Sequence, residues 1–179
     1  MTNPAGDYGR LTGPAQLEFR RVLKADVERV WRFLIEPEKR ALWFCGGATQ
    51  PRVGGEMTLA FDHSRLSERA PEEEGGCEGN VTMRAQITEY EPPHRLAFRW
   101  FDQDDGAFSL VRIELEDLGG GQSALVLTHS RLEDPKDHVP VLAGWHGHLD
   151  LLSEVLAGSR KTDFWLRDKE LSAEYSARV

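Results

Sequence analysis

Between Asp137 and Gly158 apolar residues return at three- and four-residue steps, at Leu142, Trp145, Leu149, Leu152 and Leu156. That spacing predicts one apolar stripe on a helix of about five turns, with Asp137 as its N-cap and Gly158 as its stop. Gly144 and Gly147 interrupt the stripe, each at a cost of about 1 kcal/mol relative to alanine. They serve either close approach of another backbone or open space beside the helix. Upstream, Leu17, Phe19 and Leu23 alternate with charged neighbours and predict a first strand. Asp26 caps a helix whose Val27, Val30, Trp31 and Leu34 form one stripe, and Pro37 opens a second short helix, Pro37 to Trp43, which Gly46-Gly47 ends.

From there the period is two. Met57, Leu59 and Phe61, then Val81, Met83, Ala85 and Ile87, then Leu96, Phe98 and Trp100 each mark one face of a strand. Val111, Ile113 and Leu115 follow, and Leu125, Leu127 and His129 close the series. Gly54-Gly55, Pro92-Pro93 and Gly119-Gly120-Gly121 supply the turns. Short connections predict an antiparallel meander with one apolar face, which the long helix covers, so the class is α+β. Residues 1–14 read as a flexible N-terminal segment with a turn at Thr12 to Ala15, and 15–158 as a single domain. The segment SRLSERAPEEEGGCEGN reads as a mobile loop, too polar for core. In the tail, 159–179, Asp163 caps a last helix carrying Phe164, Trp165, Leu171 and Tyr175. Its aromatics call for burial on the domain or on a second subunit, so the protein is expected to be a monomer or a homodimer.

A chain of 179 residues is most economically one domain with a sizeable core. Its formal net charge of −8 argues against nucleic acid or an anionic membrane as partner. Cys45 and Cys77 make neither a metal spacing nor a disulfide framework, which suits a reducing compartment. The N-terminus has no signal-peptide pattern, and no apolar run approaches ~18 residues. A cytoplasmic location is expected.

The order of elements then becomes recognisable. Together with ADVERVWRFLIEPEKRALWF, PRVGGEMTLAF, ITEYEPPHRLAFRW, LVLTHSRL and GWHGHLDLLSEVLAG, it resembles the helix-grip fold of the START and birch-pollen-allergen (SRPBCC) superfamily. Within it the chain is similar to the family related to the activator of the heat-shock-protein ATPase. These pieces run from about Leu17 to Gly158, and they mark turns and core rather than a catalytic motif. The resemblance implies a curved sheet wrapped around the C-terminal helix, with a cavity between them often used for small apolar or amphipathic ligands. It also implies a possible co-chaperone role in stress response, which would normally come with an additional domain.

Trp31, Trp43, Phe44, Met83, Phe98, Trp100 and Trp145 fall on the faces that meet in this interior. They are either an ordinary aromatic core or the wall of an apolar pocket, and the resemblance favours the pocket. Such a pocket requires at least ~300 Å³. His129 shares a strand face with Leu125 and Leu127, and is expected to be sheltered with a lowered pKa. His148 lies near the Trp145 face, and His146 is rotated away. His129 and His148 are either structural, or they orient a ligand together with Arg99, or one acts as an acid–base in a cyclase- or hydrolase-like enzyme. His146-x-His148 on a helix does not converge on a metal. The glycine pairs lack phosphate-loop spacing, and no cofactor is expected.

Overall fold

The computed structural model describes residues 8–67, 81–101 and 107–179. Its elements run Arg10–Gly13 (β1), Gln16–Leu23 (β2), Val27–Ile35 (α1), Pro37–Arg40 (α2), Glu56–Phe61 (β3), Val81–Glu91 (β4), Arg95–Phe101 (β5), Ser109–Gly119 (β6), Gln122–Ser130 (β7), His138–Leu156 (α3) and Phe164–Ser176 (α4). Among the described residues one seven-stranded sheet forms in the order β1-β2-β7-β6-β5-β4-β3, every pair antiparallel. The meander from β3 to β7 is the one its period-two pattern predicts, and β2 joins it on the β7 side. This curved sheet with its long C-terminal helix is the helix-grip fold. The sequence pattern has no counterpart for β1, four residues (Arg-Leu-Thr-Gly) that pair with β2 through the backbone ladder and through side-chain bonds of Arg10 to Glu18 and of Gln16 to Thr12, each at 2.8 Å.

Inward positions alternate as expected: Leu17, Phe19 and Leu23 on β2, Met57 and Leu59 on β3, and Val111, Ile113 and Leu115 on β6 are buried. Arg21 takes the inward side of β2 as well, beside Asp150 of α3 at 3.8 Å. Val81 departs from the pattern and is exposed at the start of β4. Asp26 caps α1 by accepting the Arg29 N–H at 2.8 Å. The stripe of Val27, Val30, Trp31 and Leu34 is buried.

The second helix is shorter than its pattern, ending at Arg40 instead of Trp43. The reason is Arg40 itself. Its side chain, 1% exposed, turns inward and donates to Cys45 O at 3.0 Å, Thr49 Oγ1 at 2.7 Å, Gly46 O at 3.0 Å, Gly47 O at 2.8 Å and Thr58 O at 3.2 Å. The chain therefore wraps around a guanidinium and delivers Trp43 and Phe44 beneath the sheet. Gly47, at φ +97°, has no room for a side chain, since a Cβ would lie 2.4 Å from Thr58 O.

α3 buries Leu142, Trp145, Leu149, Leu152 and Leu156. Asp137 stands at its N-cap position but makes no capping bond. A 3-10 turn, Pro135–Asp137, precedes the helix instead, capped by Asp134 through the Lys136 N–H at 3.0 Å. Gly158, at φ 72°, follows the helix end. α4, capped by Asp163, packs on α3 and buries Phe164, Leu171 and Tyr175. The polar segment after β3 is partly core: His63–Leu66 forms a 3-10 turn whose Leu66 is 1% exposed. The rest of that expected loop, including Glu72 to Glu74 and Cys77, lies outside the described residues.

The two helix glycines have different surroundings. A Cβ on Gly147 would stand 3.3 Å from the Phe164 ring, so this glycine admits α4, whereas a Cβ on Gly144 would meet nothing within 4 Å. Gly144→Ala is expected to stabilise the fold by up to about 1 kcal/mol through helix propensity. Gly147→Ala is expected to be less stable than Gly144→Ala by at least about 1 kcal/mol, because overpacking opposes the same gain. Urea unfolding of both variants checks this, and equal midpoints would refute it. Arg40→Met keeps the volume but leaves buried carbonyls without their donor, and should cost at least about 3 kcal/mol.

Candidate functional site

Phe44 is the hub of the interior. It stacks on Trp145 of α3 (centroids 4.9 Å, planes 22° apart) and on Trp43 (5.3 Å, 27°). Its edges meet Phe61 of β3 at 5.1 Å, Trp100 of β5 at 5.9 Å and His148 of α3 at 5.1 Å. Trp100 in turn stacks on Phe61 at 5.7 Å and on His129 at 5.7 Å. Rings from three strands, the loop after α2 and the helix thus form one contiguous array, and aromatic contacts of this kind are worth about 0.5–1.5 kcal/mol each beyond area burial.

The space beside the hub is nearly filled. Leu34, Arg40, Trp43, Phe44, Met57, Leu96, Phe98, Ile113 and Trp145 surround a void of about 10 Å³. That is at most one water and far short of the ~300 Å³ expected of a formed ligand pocket. At this point among the described residues, the rings themselves take up most of the space between sheet and helix.

Of the residues singled out in sequence, Trp43, Phe44, Phe98 and Trp145 line this void. Trp100 and Met83 do not line it; both are half-buried, with Trp100 against Phe44 and its indole N–H donating to Met83 Sδ at 3.0 Å. Trp31 is elsewhere in the core, against Tyr90 of β4 at 5.5 Å. Arg99 is a correction: it sits between Phe98 and Trp100 on the outer face of β5, exposed, with its guanidinium 4.8 Å from the Phe108 ring. A strand alternates faces, so a residue between two inward aromatics points out.

His129 and His148 belong to one network without touching. His129 is 3% exposed, with Nε2 2.8 Å from Ser109 Oγ and Nδ1 accepting the Trp145 indole N–H at 3.0 Å. His148 donates from Nδ1 to the Trp43 carbonyl at 2.7 Å and stacks on Phe164 at 4.4 Å. Trp145 and Phe44 stand between the two imidazoles. His146 does face the other way, but it is buried: its Nδ1 is 2.9 Å from the Tyr175 hydroxyl, which also receives the Gly9 N–H at 2.7 Å. Its Nε2 lies 3.6 Å from Asp150, whose carboxylate Arg167 also engages at 3.2 Å.

Sequence reasoning missed Ser109, Arg40 and His63. Ser109 continues the inward period of Val111 and Ile113, so the signal was there. Nothing in the pattern marks Arg40. His63 stacks on Phe164 at 4.6 Å and lies 5.5 Å from His148, contacts that depend on α4 docking.

Burial sets the protonation states. His129 and His148 are both pushed down to about 3 by desolvation. His146 falls to about 3 through burial and the nearby Arg21, Arg167 and Arg178. The Cys45 thiol is pushed up to about 12 by burial, so it is no nucleophile near neutrality. Among the described residues no cluster of three or more His, Cys, Asp or Glu could hold a metal ion. Nor is any helix among them long and apolar enough to cross a membrane.

A seven-stranded antiparallel sheet gripping a long C-terminal helix over an aromatic interior defines an α+β helix-grip protein. The family model described as "Activator of Hsp90 ATPase homolog 1-like protein" matches residues 24–157, and the chain belongs to that family. A solution structure of the protein encoded by gene BPP1335 from Bordetella parapertussis is 34% identical, with a TM-score of 0.79, covering 100% of this chain and 96% of that one. CalU16 from Micromonospora echinospora shares the fold at 22% identity and a TM-score of 0.67, covering 95% of this chain and 93% of its own. DynU16, from the dynemicin biosynthetic locus, shares it at 20% identity and a TM-score of 0.63, over 82% of this chain and 49% of its own. Among curated proteins none matches the sequence.

The three neutral histidines generate a pH dependence. Their folded-state pKa values, about 3, lie below the unfolded value of about 6.5, so between these limits the unfolded chain binds more protons. Their contribution is therefore complete above pH ~6.5 and lost as pH falls toward 3, with a slope of up to about 1.4 kcal/mol per pH unit for each. Urea midpoints should be level between pH 7 and 8 and drop between pH 6.5 and 5, before most carboxylates titrate. A level profile down to pH 5 would contradict the assigned protonation states.

Proposed function

We propose that this protein binds a small, flat, apolar or amphipathic molecule at the ring array between the sheet and α3. The observation that carries this reading is the array itself: Phe44, Phe61, Trp100 and Trp145 in mutual contact, with the half-buried Trp100 and Met83 at its rim. Aromatic faces and a flexible thioether suit an apolar ring system of no fixed outline. Because the void beside them measures only about 10 Å³, a ligand gains room by displacing rings rather than by filling a hole. The magnitudes allow this. A ligand burying ~200 Å² of apolar surface gains roughly 5 kcal/mol, against about 2–4 kcal/mol for breaking a few ring contacts of Phe44.

The acid–base alternative has less behind it, since His129 is neutral and its partners are Ser109 and Trp145 rather than a carboxylate. A co-chaperone contact, which the family description brings to mind, calls for a contiguous exposed apolar face. Among the described residues the exposed large apolar side chains, Leu11, Val22, Leu42, Val53, Val81, Leu118, Leu166 and Val179, are spread over β1, β2, β4, β6, α4, the C-terminus and the segment between α2 and β3.

Fatty-acid-like and polycyclic aromatic probes are expected to raise the melting temperature with dose, as linkage requires of a ligand that binds only the folded state. Phe44→Leu, which thins the hub, should lower the melting temperature of the free protein and enlarge the probe response. Phe44→Ala should do both more strongly, at a cost of about 3–5 kcal/mol. Absence of any probe response in the native chain and in both variants would overturn the proposal.

A further inference from the structure

The hydrogen bonds around His129 have a direction. An indole N–H can only donate, so Trp145 fixes His129 Nδ1 as an acceptor and leaves the imidazole proton on Nε2. Nε2 therefore donates to Ser109 Oγ at 2.8 Å. Ser109 is 3% exposed, and with its oxygen taken by His129 its own hydroxyl hydrogen has no acceptor among the described residues. A buried donor left without an acceptor is uncommon and calls for a partner, an ordered water or a bound ligand. Ser109 pairs with Trp100 across the β5–β6 ladder, which puts this hydroxyl beside the ring stack of Trp100 on His129.

We infer that Ser109 presents a hydrogen-bond donor to the bound molecule, so that the ligand is an apolar ring system bearing an acceptor, a carbonyl or quinone-type oxygen, rather than an amine or other donor. The inference rests on the binding reading above and assigns the polar group that orients the ligand. It also separates this pair from a nucleophilic dyad. There the histidine must accept the serine proton, whereas here the histidine gives its proton to the serine oxygen and leaves it unactivated.

Three flat probes of similar size distinguish the possibilities: fluorenone carries an acceptor, carbazole a donor, and fluorene neither. Binding is measured by isothermal titration or tryptophan fluorescence on the full chain, and the His129 tautomer by 15N correlation spectroscopy. Fluorenone is expected to bind roughly tenfold tighter than fluorene, the worth of about one neutral hydrogen bond, with carbazole no tighter than fluorene. Ser109→Ala should remove the fluorenone advantage while keeping fluorene affinity, and the tautomer should be Nε2–H. Equal binding of fluorenone and fluorene, a carbazole preference, an advantage that survives Ser109→Ala, or an Nδ1–H tautomer would overturn the assignment while the binding reading stands. Failure of all three probes to bind with the Nε2–H tautomer in place would remove the binding reading, and the assignment with it.

Discussion

The buried guanidinium of Arg40 determines where the aromatic interior sits. It has no carboxylate within ion-pair distance among the described residues; its donors instead reach four carbonyls and a threonine hydroxyl on the segment from Cys45 to Thr58. A charge taken out of water is tolerable only with such saturation, because an unsatisfied buried ion costs several kcal/mol. Wrapping the chain around it forces Gly47 to a positive φ and ends α2 early. It also turns Trp43 and Phe44 inward together. Phe44 then meets Trp145 and His148 of α3, so α3 seats on rings that a residue on another element has positioned.

The periodic parts of the molecule were legible because a period reports which side of an element is buried. The strands from β3 to β7, the α1 stripe and the α3 stripe follow from residue spacing alone. What spacing could not show is how two buried faces meet. Arg99, expected to help orient a ligand, lies outside by strand alternation, against Phe108. Asp137 occupies the cap position, but the preceding 3-10 turn has its capping bond on Asp134. Of the aromatic residues singled out by the pattern, Trp43, Phe44, Phe98, Trp100 and Trp145 come together, whereas Trp31 packs against Tyr90. Whether they enclose space or fill it depends on side-chain angles, which no one-dimensional pattern carries; among the described residues Phe44 stacks on Trp145 and leaves only a small void beside it.

The histidines of α3 divide its circumference between partners. His146 points to α4, where Tyr175, Asp150 and Arg167 make a polar seam that also holds Gly9. His148 points to the Trp43 carbonyl and packs against Phe164. A helix apolar on every side would bind its neighbours without fixing their angle, whereas directional bonds specify one arrangement. Gly147 works with them, since its missing Cβ lets the Phe164 ring approach. The α4 contact therefore bears on the interior: Phe164 is the far wall behind His148, and His148 is an edge of the hub.

Seen from that hub, the interior has unequal ends. Toward Arg40 every nitrogen of the guanidinium donates to the segment from Cys45 to Thr58, which leaves little for a guest. Toward β5 and β6, Trp100 and Met83 are half-buried, and the Trp145–His129–Ser109 chain runs from an obligate donor to a hydroxyl. A ligand entering at the Arg40 end would have to break a buried ionic cage, a loss of several kcal/mol before any gain. At the Trp100 end it displaces a thioether and tilts rings, changes of the order of single aromatic contacts. For the ligand proposed above, this difference in cost favours entry at the β5–β6 end of the sheet over the Arg40 end.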